Sequence, residues 1–98
     1  MSLKDAYDFE FLVNEAERLV LEELEEQLER DTGNKICKCQ DCILDMATYA
    51  LNNVRPAYRV SLLGKLYSDA VTGTEYEEEI SAAVEAAIEK VSKNPMHD

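Results

Sequence analysis

From Asp5 to about Arg30 the apolar residues Phe9, Leu12, Val13, Ala16, Leu19, Val20, Leu24 and Leu28 recur at steps of three and four, with Glu, Arg and Gln between them. This spacing predicts one long amphipathic helix. Asp5 and Asp8 near its start suit the helix dipole, and Thr32-Gly33-Asn34 supplies the stop. At ~1.5 Å per residue, a helix of about 25 residues spans nearly 40 Å, longer than so small a domain needs. Part of its apolar stripe is therefore expected to meet a second subunit.

Ile43, Leu44, Met46, Ala47, Ala50, Leu51 and Val54 mark a second helical face, starting at or just before Cys42 and ending before Pro56, with Asp41 placed to cap it. Arg55 to Ser61 reads as extended chain or loop, because proline disfavours helix at the preceding residue. Gly64 punctuates a further break, and Leu66 to Val71 fits a short helical turn. Thr74-Glu75-Tyr76-Glu77 matches a capping box, and Tyr76, Ile80, Ala83, Val84, Ala87, Ile88 and Val91 follow at helical spacing. A last helix from about Glu75 to Ser92 is expected, with the alanines at 82, 83, 86 and 87 allowing close packing. The expected fold is all-α: one domain over residues 1–98, with long N-terminal and C-terminal helices around a central Cys-rich turn and helix.

Composition adds limits. The chain has 98 residues, 46% of them apolar, which suits one globular domain with a modest core. No run approaches the ~18 apolar residues of a membrane span, and the N-terminus shows no apolar secretory region. A cytoplasmic location without membrane insertion is the expectation. The net charge of -11 makes direct binding to duplex DNA improbable. The charge is unevenly spread. Residues 35–65 hold five bases, Lys35, Lys38, Arg55, Arg59 and Lys65, against the two acids Asp41 and Asp45. Such a locally positive middle either pairs with the acidic helices or forms a small site for an anionic ligand.

All three cysteines fall within Cys37-Lys38-Cys39-Gln40-Asp41-Cys42. A C-x2-C spacing lets two thiolates converge on one zinc ion, and Cys37 adds a third sulfur. Cys42, opening a helix, gains from the positive helix N-terminus, which favours thiolate. A redox pair also fits a C-x2-C before a helix, although such motifs usually follow a strand and none is evident here. Three buried small side chains are the remaining possibility. Spacing favours zinc over both. The fourth ligand is open among Asp45, His97, water and a partner chain.

Read in order, C-x-C-x-x-C-x-x-D-M-A-x-x-A-L-N from Cys37 to Asn52, R-P-x-Y-R-V from Arg55 to Val60, and the later Gly64 resemble the late competence development protein ComFB family. The resemblance covers about 28 residues of the core. It implies a small all-helical homodimer in which Cys37, Cys39 and Cys42 hold zinc, and a regulatory protein without a known catalytic activity. Asp45, Asn52, Pro56 and Tyr58 match motif positions. Arg55 stands where the family has the first of two prolines, and Arg59 precedes Val60.

Members of the wider family have been associated with cyclic dinucleotides, so a dimeric zinc-containing sensor of cyclic di-GMP or cyclic di-AMP is the leading functional expectation. Two phosphates and two purine faces call for cations and flat partners, and Arg55, Tyr58, Arg59, Lys65 and Tyr67 provide both. The second expectation is a protein-interaction adaptor with purely structural zinc. An enzyme is the least favoured reading, since no nucleophile set or phosphate-cradling glycine loop is present.

Overall fold

The computed structural model describes residues 2–60 and 73–93. In chain order these form α1 (Leu3–Ala6), β1 (Val13–Asn14), α2 (Glu15–Glu29), α3 (Gln40–Leu51), β2 (Tyr58–Arg59) and α4 (Thr74–Lys93). The architecture is mostly helical, with α4 packed chiefly on α3 and also on α2. A small antiparallel ribbon adds to the expected helices, Val13 lying opposite Arg59 and Asn14 opposite Tyr58.

The single long N-terminal helix expected from Asp5 to Arg30 is not what forms. After the short α1, the Asp8 carboxylate accepts the Glu10 amide at 2.8 Å and the Phe9 carbonyl accepts the Leu12 amide, turning the chain. Asn14 then starts α2. Its side-chain oxygen accepts the amides of Ala16 at 3.1 Å and of Ala57 at 2.8 Å. One oxygen thus caps a helix and ties down the segment before β2. Local hydrogen bonds and strand pairing override the helical period of Phe9, Leu12 and Val13, which remain exposed. At 15 residues α2 is about 22 Å long, so the length-based reason for a second subunit falls away.

Downstream of Asn14, the buried Glu15 carboxylate accepts Arg59 Nε at 2.5 Å and Arg18 Nε at 2.9 Å. These bonds, that from Arg59 foremost, hold the Glu15 pKa below its ordinary value against the opposing cost of burial. The core above this clamp is built from Ala16, Val20 and Leu24 of α2, Cys42, Met46, Ala47 and Ala50 of α3, and Tyr76, Ile80, Ala83, Val84, Ala87 and Val91 of α4. The steps of three and four put each set on one helix face. Ala83 and Ala87 face inward and allow close packing, whereas Ala82 and Ala86 are exposed. Thr74 is the first residue of α4 rather than its cap, and the Glu77 amide bonds the Gly73 carbonyl. Gly64 and the helical turn expected over residues 66–71 lie outside the described residues.

Asn14→Ala removes an acceptor from two backbone amides at once. Urea unfolding should show a loss of about 2 kcal/mol. Asn14→Asp, which keeps the accepting oxygen, should retain most of that stability.

Candidate metal centre

The C-terminus of α2 delivers the chain to Asp31, whose carboxylate organises the approach to the cysteines. It accepts the amides of Lys35 at 3.1 Å and Ile36 at 2.8 Å, and Lys38 Nζ at 2.7 Å. Between these anchors Asn34 adopts a positive φ of 52°, a conformation asparagine tolerates better than most residues. The Lys38 ion pair and then the Ile36 amide hold the Asp31 pKa down to about 2. Sequence reading counted Asp31 only as one more acid. The missed signal is an aspartate directly before Thr32-Gly33-Asn34, a residue type that folds a following turn onto its own carboxylate.

Cys39 then starts α3. It occupies the N-cap position expected for Asp41, which instead lies in the first helical turn. Its Sγ accepts the Cys42 amide at 3.4 Å, and its carbonyl accepts the Ile43 amide at 3.0 Å. A neutral thiol is a weak acceptor, while a thiolate gains both from this bond and from the positive end of the helix. Cys42 is buried in the α3 face, Cys39 is half-buried and Cys37 is exposed. The three Sγ atoms all lie within 4.8 Å of one another, and no disulfide joins them. Burial and the adjacent Cys37 and Cys39 push the Cys42 thiol up to about 12.

The thiolate expected at Cys42 from the helix N-terminus is therefore not favoured, because burial outweighs the helix dipole there. Neighbouring thiolates repel one another, so ionising all three needs a cation between them. Zn–S bonds of about 2.3 Å in a tetrahedron place sulfurs about 3.8 Å apart, so the observed spacing needs only a small contraction. The donors fit zinc. Among the described residues the ligand group contains these three sulfurs alone, and Asp45 does not join it. His97 lies outside the described residues.

The ComFB late competence development protein profile matches residues 13–95, which takes in both ribbon strands, the cysteine cluster and the three long helices. The chain belongs to the ComFB family. No curated protein matches it. In this ComFB chain, the motif that follows the cysteines has a visible structural basis. Met46, Ala47 and Ala50 of D-M-A-x-x-A-L-N line the buried face of α3.

The second expected site is only partly assembled. Arg55 donates its backbone amide and Nε to Glu79 at 2.7 and 2.8 Å, and its guanidinium lies 5.3 Å from the Tyr76 ring centre. The Tyr76 hydroxyl donates to the Arg55 carbonyl. Arg59 is paired with Glu15. Both arginines thus bind acidic residues of α2 and α4, as one of the two charge readings anticipated. Tyr58 is 62% exposed. Lys65 and Tyr67 lie outside the described residues. Among the described residues no helix is long and apolar enough to cross a membrane.

Asp31 carries a further expectation. Its folded pKa of about 2 lies below the ordinary 3.8, so its contribution is complete above the ordinary value and is lost as pH falls through about 2. Carboxyl NMR should place its midpoint near 2, and Asp31→Asn should remove that part of the acid dependence of stability.

Proposed function

We propose that this ComFB protein is a non-enzymatic regulatory homodimer in which zinc, held by Cys37, Cys39 and Cys42, fixes the start of α3. The observation that carries this reading is the convergence of three sulfurs within 4.8 Å at a helix N-terminus. When bound, the ion supplies positive charge and a cross-link between the loop from Asp31 and α3. The chain's own residues do the rest: Asp31 sets the loop, Cys39 caps the helix, and Cys42 couples the cluster to the Met46 and Ala50 face. Exposed Leu3, Tyr7, Phe9, Phe11, Leu12 and Val13 support association with a second subunit.

The ligand proposed for the regulatory site is a cyclic dinucleotide, recognised by Arg55, Tyr58 and Arg59 together with Lys65 and Tyr67. The exposed ring of Tyr58 supports this, since a purine can stack on it without disturbing the core. The adaptor reading has its own support. The ion pairs of Arg55 and Arg59 must loosen or be shared before either arginine can serve a phosphate.

Calorimetry of the zinc-loaded protein with cyclic di-GMP and cyclic di-AMP separates these readings. Saturable binding by wild type, weakened about tenfold or more in Tyr58→Ala, is expected of a sensor. No heat at roughly tens of micromolar ligand would remove the sensor and leave the adaptor. In either case a zinc chelator should lower the melting temperature of wild type and leave that of Cys39→Ser nearly unchanged.

A further inference from the structure

We infer that the cysteine cluster is also a peroxide-sensitive site, at which a hydroperoxide joins Cys37 to Cys42 in a disulfide and the metal is released. The inference rests on the zinc reading above and adds a second chemistry to the same sulfurs. The three Sγ atoms lie within 4.8 Å of one another. A pair therefore needs to close by less than about 3 Å to reach the S–S bond length of about 2.05 Å.

Exposure separates the roles of the three. Cys37 is exposed, Cys39 is half-buried and Cys42 is buried in the α3 face. Cysteines that respond to oxidants combine an accessible sulfur with a second one placed to resolve it. Cys37 meets the first requirement, and the packing selects its partner. A cleft of about 210 Å³ is lined by Lys35, Cys37, Cys42, Met46, Val91 and Ser92. Cys37 and Cys42 thus face one space, with room for a peroxide, given that a water molecule takes up about 30 Å³ in the liquid. Cys39 does not line that cleft, and its Sγ is engaged at the start of α3, accepting the Cys42 amide at 3.4 Å. The C-x2-C pair that spacing suggests for redox chemistry, Cys39 with Cys42, is therefore not the pair the fold presents to an oxidant.

The Cys37 thiolate attacks one peroxide oxygen; an S–O bond forms as the O–O bond breaks, and hydroxide leaves. The sulfur has then lost two electrons, and the peroxide has gained them. The Cys42 sulfur next attacks the Cys37 sulfur; the S–S bond forms as the S–O bond breaks, and a second hydroxide leaves. Two protons from solvent turn both hydroxides into water. Cys39 alone then remains as a thiolate donor of the cluster, too few to hold a zinc ion tightly, so release accompanies the disulfide. The Cys39 cap of α3 takes no part in the exchange, and the loop stays tied to the helix, now by a covalent bond. Reduction by a dithiol returns both thiols and the metal site.

The zinc-loaded full chain, exposed to hydrogen peroxide in molar excess, tests this, with zinc followed by a chromogenic chelator and thiols by mass spectrometry. One zinc should appear per disulfide, and the intact mass should fall by two hydrogen atoms. Peptide mapping should find Cys37 joined to Cys42, and dithiothreitol with added zinc should restore the starting protein. Stripped of zinc, Cys37→Ser keeps the Cys39 and Cys42 thiols yet should form a disulfide about tenfold or more slowly than stripped wild type. Stripped Cys39→Ser should still form the Cys37–Cys42 bond. A Cys39–Cys42 disulfide in wild type would overturn the inference. So would oxygen added at Cys37 or Met46 without a disulfide, or retention of zinc and all three thiols. A wild type that takes up no zinc before peroxide is added would overturn the zinc reading and with it the release, a result distinct from the others.

Discussion

The arrangement of this domain depends on how the first turn of α3 is held. A helix start leaves backbone amides without partners, and here a cysteine sulfur accepts one of them. The same sulfur lies within 4.8 Å of two others, one exposed and one buried in the core. Three neighbouring thiolates are costly without a cation, and burial, first, and then the two neighbouring sulfurs raise the Cys42 pKa. A metal ion held there would turn that conflict into a cross-link between the α2–α3 loop and α3.

A second fixed point stands at the other end of α2. Asn14 and Glu15 gather the ribbon, the cap of α2 and the charge of Arg59 into one cluster, while Arg55 is secured through Glu79 and Tyr76. The segment preceding residues 61–72 is thereby anchored to both α2 and α4. A ligand that drew Arg55 or Arg59 away from its carboxylate would alter contacts with those helices. This gives a physical route from binding to a changed surface, without chemistry at the metal.

Much of this was legible in the sequence where the period was long and uninterrupted. The spacing from Tyr76 to Val91 gave α4 to within a residue or two, whereas α3, expected to reach Val54 and end before Pro56, ends at Leu51 with Asn52 as its C-cap, and Leu44 of the expected face is exposed. The N-terminal third misled because Phe9, Leu12 and Val13 share the helical period of α2 yet precede its cap. Asp8 and Asn14 form side-chain-to-backbone bonds that compete with a helix, and β2 offers partners 44 and 46 residues away, Tyr58 for Asn14 and Arg59 for Val13. That the three cysteines converge closely enough to hold a metal ion was readable from their spacing alone. The role of Asp31 and the pairing of the arginines required tertiary contacts, since the choice among 21 carboxylates is made only by folding.

The thiolate centre is tested most directly by zinc K-edge X-ray absorption on the purified, zinc-loaded protein. Three sulfur scatterers at about 2.3 Å are expected, joined by one lighter atom. A shell made only of oxygen and nitrogen, or a protein that takes up no zinc, would contradict a metal-fixed start of α3.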